Sequence, residues 1–226
     1  MPCPRRKARP SESLVIAIDG PAASGKSSVA RALARRLGFV YVNTGIMYRA
    51  VTWLVWSRGV NPEDTDAVLD LMSHAHFHCG LVDKVSTVTV DGVDPTPYLS
   101  DGAVNRHVST ISSIQEIRRL LVDEQRRYLK ENDLVMEGRD IGSVVFPETP
   151  YKFYIDASPE VRARRRELQG QQDDPRARDR FDSTRKTSPL IIAEDAHVID
   201  SSNLTIDGVV GEVIGRLKLK GLTIRE

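Results

Sequence analysis

The chain has 226 residues, which is enough for one domain with a sizeable buried core and inserted segments. Its 32 lysines and arginines nearly balance 31 aspartates and glutamates, and the net charge of +1 favours neither nucleic-acid nor membrane partners. The apolar runs are too short to span a bilayer, and Cys3 and Cys79 have neither disulfide-framework nor metal-ligand spacing. We therefore expect a cytoplasmic protein with reduced cysteines, acting as a monomer on small molecules.

The first 13 residues are basic and rich in proline, and the apolar run that follows them is too short for a signal peptide. We expect residues 1–13 to be a disordered tail.

A phosphate-binding loop is predicted where the first strand meets the first helix. The motif G-x-x-x-x-G-K-[ST] follows the apolar run 14–18 and precedes helical spacing over 29–37. Glycines allow the backbone to approach a ligand closely, and amides at a helix N-terminus bind anions. The alternative, a glycine turn that only caps a helix, does not account for the fixed lysine and serine. The predicted ATP contacts are Gly20, Pro21, Ala22, Ala23, Ser24, Gly25, Lys26, Ser27 and Ser28.

Within this loop, Lys26 is expected to lie against the β- and γ-phosphates. The Ser27 hydroxyl is expected to face Mg²⁺, with Ser28 as a second candidate.

The second strand, predicted over 39–42, leads into a helix that we expect Thr44 to cap. This places Tyr48 and Arg49 one turn inside a helix at the carboxyl edge of the sheet, where α/β proteins bind ligands. The alternative is a core tyrosine beside a solvated arginine.

An insertion follows the second helix. Helical periodicity over 64–75 precedes two alternating runs within 77–93, which predict an antiparallel ribbon. His74, His76 and His78 are spaced by two, but without a completing carboxylate or cysteine they are expected to be packing or surface histidines rather than a metal site.

A long helix is predicted after the polar segment 105–113. Arg118, Arg119, Arg126 and Arg127 on this helix are typical of a solvated face. The next strand is predicted over 134–136 and ends at Glu137. An acidic residue at the end of an apolar strand is typical of a carboxylate that reaches Mg²⁺ through water. Arg139 and Asp140 then project at the same edge as the phosphate-binding loop.

The last third contains a strand at 152–155, a helix capped by Ser158 with Pro159 at its first position, and a strand near 196–202. Between them, residues 161–186 are densely charged, and we expect a segment that cannot bury itself. It is either a lid over phosphates, or an exposed charged loop or RNA-binding arm. The final helix is predicted to direct these side chains inward: Ile206, Val209, Val210, Val213, Ile214 and Leu217.

The alternation of strands and helices predicts an α/β fold of the P-loop type, with a parallel sheet in a three-layer arrangement. The segments 19–21, 44–49, 137–147 and 178–185 together make the chain resemble the bacterial cytidylate kinases of the nucleoside monophosphate kinase family. The resemblance runs from about residue 14 to the end. It implies a kinase domain over 14–226, with an NMP-binding insertion at about 62–113 and a lid at about 162–188. The stretch before Arg178 is shorter than the family pattern, so the lid is expected to be short.

The resemblance implies ATP, Mg²⁺, CMP and dCMP as ligands, in pyrimidine nucleotide metabolism. Arg49, Arg139 and Arg185 would bind the CMP phosphate, with Tyr48 alongside. Ser109, Arg118 and Asp140 would read cytosine. Asp182 would hold the sugar hydroxyls, Thr44 would lie near the nucleotide, and Arg178 would approach the transferring phosphoryl group.

The residues leave two competing functions open. One is another small-acceptor P-loop kinase, of the UMP/CMP or shikimate type, and the other is an ATP-binding module without transfer activity. A GTPase is disfavoured because the sequence has no N-K-x-D guanine-binding motif.

Overall fold

The computed structural model describes residues 13–168, 170, 175–185 and 187–224, with only the backbone described for 175–178. Residues 1–12, and with them nearly all of the predicted tail, lie outside this part. The strands of the described chain are β1 (Val15–Asp19), β2 (Val40–Asn43), β3 (Phe77–Val82), β4 (Val85–Val90), β5 (Leu134–Gly138), β6 (Lys152–Asp156) and β7 (His197–Asp200). The helices are α1 (Lys26–Leu37), α2 (Thr44–Ser57), α3 (Thr65–His74), α4 (Gly102–Ile111), α5 (Gln115–Arg127), α6 (Pro159–Leu168), α7 (Pro175–Thr184) and α8 (Ile206–Leu219).

One sheet contains all of these strands, in the order β3-β4-β2-β5-β1-β6-β7. All neighbouring pairs are parallel except β3 and β4, which form the predicted antiparallel ribbon. The ribbon continues the main sheet, because Tyr41 of β2 pairs with Val85 of β4.

Two layers of helices cover the sheet, and the alternation of β1 side chains explains why. Val15 and Ala17 pack into a core with residues of α2, α3, α4 and α5, whereas Ile16 and Ile18 pack into a second core with α1 and α8. Successive side chains of a strand point to opposite faces, so a parallel strand buried on both faces is apolar throughout. The three-layer α/β prediction is confirmed.

The carboxyl ends of three central strands lie side by side and set the position of the cleft described below. In the register of the sheet, Asp19 of β1 is opposite Gly138 of β5, and Asn43 of β2 is opposite Glu137. The phosphate-binding loop, the start of α2 and the segment after β5 therefore leave the sheet at one edge.

Several local predictions were wrong in detail. Asn43, not Thr44, is the residue before the first turn of α2, and the Thr44 hydroxyl instead donates to the Glu137 carbonyl at 2.9 Å. The polar segment 105–113 is largely helical, as α4. On α8 the predicted inward side chains are buried except Ile206, which is 49% exposed.

The Ser158 hydroxyl accepts from the Val161 amide at 3.3 Å, which confirms the predicted cap of α6.

The charged segment 161–186 differs most from expectation. Its described residues form α6 and α7, and Arg162 and Asp182 are buried through ion pairs. The expectation that this segment cannot bury itself was wrong for these residues, because Arg162 is paired with Asp179 and Asp182 with Arg139 and Arg185. The bounds of the lid and of the insertion stay predictions.

The described residues contain neither a membrane-spanning helix nor a cluster of metal-binding side chains. None of their helices combines the length and apolar character needed to cross a membrane. Nor do they contain a group of three or more histidine, cysteine, aspartate or glutamate side chains arranged to hold a metal ion.

Candidate active site

A cleft of about 710 Å³ opens at the carboxyl edge of the sheet. Most of the predicted site residues line it: Ala22, Ala23, Gly25, Lys26, Ser27, Ser28, Thr44, Tyr48, Arg49, Arg118, Glu137, Arg139, Asp140, Asp182 and Arg185. Gly20, Pro21, Ser24 and Ser109 are not among the lining residues. The side chain of Arg178 lies outside the described residues. Segments far apart in the sequence thus meet around one cavity.

The phosphate-binding loop has the backbone that its glycines were expected to allow. Gly20 has a φ of +153°, and a Cβ atom there would lie 2.1 Å from the carbonyl oxygen of Ile155. Gly25 has a φ of +91° and directly precedes α1. The Lys26 ammonium donates to the Pro21 carbonyl at 3.1 Å, while Ser27 and Ser28 are exposed to the cleft. Only glycine fits at Gly20 without moving β6.

An arginine from α6 braces this loop from behind. Arg165 Nη1 donates to the Ser24 carbonyl and to Ser201 Oγ, both at 3.1 Å, and Nη2 donates to the Ser201 carbonyl at 2.9 Å. Ser201 Oγ in turn donates to the Ser24 carbonyl at 2.7 Å. These bonds fix the Ser24 carbonyl of the loop on the side that faces Arg165 and Ser201. Sequence reasoning missed this brace, because nothing local in the charged run distinguishes Arg165 from its neighbours.

A second contact joins α7 to the loop. The Asp179 carboxylate accepts from the Ala22 amide at 3.0 Å and pairs with Arg162, which also donates to the Ala22 carbonyl at 3.2 Å. The helices α6 and α7 are therefore packed against the phosphate-binding loop.

The far wall of the cleft holds a buried ion pair. Arg118 donates to Asp140 Oδ2 and to the Ser112 carbonyl, and its guanidinium lies 5.3 Å from the centre of the Tyr48 ring. Arg118 and Asp140 are both nearly inaccessible to solvent. Burial raises the pKa of Tyr48 to about 12 against the opposing charge of Arg118, so this phenol stays neutral. The solvated face predicted for the arginines of α5 is wrong for Arg118, whereas Arg119, Arg126 and Arg127 are exposed.

Between this wall and the phosphate-binding loop, two arginines share one carboxylate. Asp182 Oδ2 accepts from Arg139 Nε at 2.9 Å, and Oδ1 accepts from Arg185 Nη2. Arg139 also donates to the Gly20 carbonyl at 2.9 Å, which ties the cluster to the loop. Ser109 Oγ reaches Asp182 Oδ1 at 3.4 Å. Burial, with the charges of Arg118 and Arg139 adding to it, lowers the pKa of Arg185 despite the opposing effect of Asp182.

Arg49 lies at the same cleft with different partners. Its Nη1 donates to the Leu99 carbonyl at 2.6 Å and to Asn105 Oδ1 at 2.7 Å. The three predicted phosphate-binding arginines therefore line one cavity, which favours binding of a highly charged anion.

Two residues of the cleft fit a magnesium ion. Ser27 is exposed there, and the carboxylate of Glu137 accepts from the Tyr41 hydroxyl at 2.9 Å. Burial first, and the Glu137 charge second, raise the pKa of Tyr41. Magnesium prefers oxygen ligands and is usually held by one or two protein groups together with phosphates and water. The hydroxyl of Ser27 and the carboxylate of Glu137 are donors of that kind.

The carboxylate of Asp19 was not predicted as a site residue. It accepts from the amides of Ile141 and Gly142, each at 2.8 Å. Burial raises its pKa to about 7, and the nearby Asp140 charge adds to this effect, while the two amides and Lys26 oppose it. Asp19 closes an apolar strand as Glu137 does, so the signal that pointed to Glu137 also marks Asp19.

Comparison with known proteins agrees with this geometry. The family model described as cytidylate kinase matches residues 16–219. The chain is 43% identical to a cytidylate kinase of Rhodococcus opacus (strain B4), over 90% of this chain and 94% of the relative. It is 39% identical to that of Limosilactobacillus fermentum (strain NBRC 3956 / LMG 18251), over 92% and 96% of the two chains. A cytidylate kinase of Corynebacterium efficiens is 42% identical, over 91% and 94%. The chain belongs to the cytidylate kinase family.

Proposed function

We propose that this protein transfers the γ-phosphoryl group of ATP to CMP and dCMP, forming ADP with CDP or dCDP. The observation that carries the proposal is that the phosphate-binding loop and the Arg139–Asp182–Arg185 cluster line the same cleft. One anion site suits a nucleoside triphosphate and the other suits a monophosphate. The family relationship supports the same pair of substrates.

The donor binds along the phosphate-binding loop. Amides of residues 23–28 surround its phosphates, and the Lys26 ammonium moves from the Pro21 carbonyl to the β- and γ-phosphates. Ser27 and Glu137 would hold Mg²⁺, which when bound would supply positive charge to neutralise the phosphates. The brace from Arg165 keeps the loop carbonyls away from the anion.

The acceptor phosphate binds to Arg49, Arg139 and Arg185. A guanidinium has five N–H donors, so Arg139 and Arg185 bind a phosphate while still bonded to Asp182. Asp182 also accepts from the sugar hydroxyls, since each carboxylate oxygen accepts more than one hydrogen bond. The arginines offset the repulsion between two anions, which is the main obstacle to bringing donor and acceptor together.

No general base is required, because the attacking oxygen of a nucleoside monophosphate is already ionised. Catalysis then consists of alignment and charge stabilisation, as is usual for phosphoryl transfer. The side chains of α6 and α7, with Arg178 among them, close over the phosphates and exclude water that would otherwise hydrolyse ATP.

The base binds at the wall formed by Arg118 and Asp140, with the Tyr48 ring behind Arg118 and Thr44 on the same cleft. Ser109, which bonds to Asp182, completes the predicted base-binding set from behind this lining. Asp140 accepts from the exocyclic amino group of cytosine. Uracil has a carbonyl oxygen at that position, which would face a carboxylate with no donor between them. A buried acceptor left without a donor is the kind of mismatch that separates close analogues most strongly.

A panel assay of ADP release tests the proposal, with CMP, dCMP, UMP, AMP and shikimate as acceptors and direct detection of the phosphorylated product. We expect turnover with CMP and dCMP and much slower turnover with UMP. Equal rates with UMP and CMP would contradict the base-binding assignment, and shikimate phosphorylation would identify a different acceptor class. ATP binding without transfer to any acceptor would indicate a non-catalytic module.

A further inference from the structure

Asp19 occupies a position between the two proposed substrate sites. It is the last residue of β1, directly before Gly20 of the phosphate-binding loop, and it is 6% exposed. Its neighbour across the sheet is Gly138 of β5, which directly precedes Arg139 and Asp140. The side chain therefore lies between the loop expected to hold ATP and the segment expected to hold CMP.

The carboxylate of Asp19 organises that second segment. Residues Ile141–Val145 form a single π-helical turn. Each Asp19 oxygen accepts one amide of this turn, from Ile141 to Oδ1 and from Gly142 to Oδ2, both at 2.8 Å. Amides at the start of a helical turn need an acceptor, which the preceding residue commonly supplies from its own side chain.

Asp140 is that preceding residue, and it makes no such bond. Its carboxylate is instead paired with Arg118 on the wall of the cleft. Asp19 thus supplies the acceptors that Asp140 would otherwise provide. If Asp19 did not, the Asp140 carboxylate would be drawn back to the amides of its own turn.

We propose that Asp19 is a positioning residue for the acceptor base: by accepting the two amides of the turn, it keeps the Asp140 carboxylate directed at Arg118 and the base. This inference rests on the proposed function and adds a second carboxylate to base selection. It also gives a physical reason for an aspartate immediately before the phosphate-binding loop, a position that the loop motif itself does not require.

Asp19→Asn is the sharpest test, because the two side chains have the same shape. A carboxamide has one oxygen and one NH₂ group, so one turn amide would face a donor instead of an acceptor. A buried amide left unpaired is unfavourable, so the turn and the Asp140 carboxylate it carries should shift, and we expect the CMP-over-UMP ratio of kcat/KM to fall roughly tenfold. The KM for ATP should change by less than about a factor of two, because the hydrogen bonds that the Asp19 carboxylate accepts come from the turn, and it acts on the loop only through the charge of Lys26.

Asp133→Asn is the matched control. Asp133 also accepts a backbone amide from another part of the chain, that of Leu14 at 2.9 Å, but it precedes β5 at the opposite end of the sheet. The CMP-over-UMP ratio should stay at the wild-type value in this variant.

The double variant separates positioning from a general structural effect. If Asp19 acts through Asp140, Asp19→Asn should not lower the CMP-over-UMP ratio further when Asp140 is already alanine. A similar fractional loss in both backgrounds would overturn the inference, and so would an unchanged ratio in Asp19→Asn alone. Failure of the proposed function would appear differently, as the absence of CMP turnover in the wild type.

A pH profile of the wild type keeps the inference testable if Asp19→Asn does not fold. Protonation makes one Asp19 oxygen a donor, as the amide substitution does, so the CMP-over-UMP ratio should fall as the pH is lowered through about 7. The acceptor phosphate ionises alike in CMP and UMP, so its titration cancels in the ratio. The other charged or titratable side chains that act on Asp19 are Asp140, Lys26 and Tyr154, and Tyr154 has a pKa of about 12. A ratio that stays constant from pH 6 to 8 would contradict the inference.

Discussion

Asp182→Asn should destabilise the protein strongly, because this carboxylate is the shared counter-ion of Arg139 and Arg185. The Asp182 side chain is 2% exposed, and those of Arg139 and Arg185 are 15% and 5% exposed. The substitution keeps the shape and one acceptor oxygen but removes the negative charge with which both guanidinium groups form ion pairs. Two positive charges would then face each other in a poorly solvated site.

The expected size follows from these exposures. Removing one partner of a buried ion pair costs about 3–5 kcal/mol. The oxygen that asparagine retains and the partial exposure of Arg139 place the loss near the lower limit, at about 3 kcal/mol. For a protein of this size each kcal/mol lowers Tm by about 2–4 °C, so the Tm should fall by about 6–12 °C.

Thermal unfolding of wild type and variant measures this difference directly. Glu124→Gln is the control, because Glu124 pairs with Arg127 on the surface, where such a pair is worth about 0–1 kcal/mol. Inorganic phosphate should restore part of the Tm lost in Asp182→Asn, since an anion at the cluster replaces the missing charge, and should have little effect on the control. If Asp182→Asn and Glu124→Gln lower Tm equally, the reasoning about the arginine cluster is wrong.

Three further predictions concern other residues of the site. Lys26→Ala should abolish phosphoryl transfer while leaving the far-ultraviolet circular dichroism of the fold unchanged, and normal turnover would contradict the role given to the loop. Asp140→Ala should relax the preference for CMP over UMP and also lower Tm, because Arg118 would lose its buried partner; unchanged selectivity would remove Asp140 from base recognition. The pKa of Asp19 is raised from 3.8 to about 7, so the folded protein binds this proton more tightly than the unfolded chain does. The resulting contribution to the unfolding free energy is fully present below pH 3.8 and is lost as the pH rises through 7. Between pH 6 and 8 the unfolding free energy of the wild type should fall by about 1 kcal/mol relative to Asp19→Asn, as measured by urea unfolding.

The parts of the fold that the sequence predicted are those encoded by local pattern. The strand before Gly20 and the helix after Lys26 follow from apolar spacing, and the turn between them follows from the glycines. Glu137 was identified because a carboxylate that closes a buried strand has few structural explanations. These patterns extend over about ten residues, so they survive without knowledge of the tertiary structure.

The parts that were missed depend on partners distant in the sequence. Arg118 was expected at the site from the resemblance, but its burial was missed, because it resembles its solvated neighbours until Asp140 pairs with it. Arg165 acts on Ser24 and Ser201, which no spacing rule connects to it. The helix α4 was not assigned because its apolar residues are few and its polar residues resemble a loop. Charge pairing and burial therefore decided the structure where local propensity was uninformative.

The glycines of this chain differ in how much substitution they tolerate. At Gly20, even alanine would bring a methyl group 2.1 Å from the Ile155 carbonyl, so a library of variants selected for turnover should retain glycine there. On α8, Gly211 and Gly215 face open space, and alanine at either position should strengthen the helix by about 0.5–1 kcal/mol. Heat resistance can therefore be raised by replacing these glycines of α8, whereas Gly20 of the phosphate-binding loop cannot be replaced.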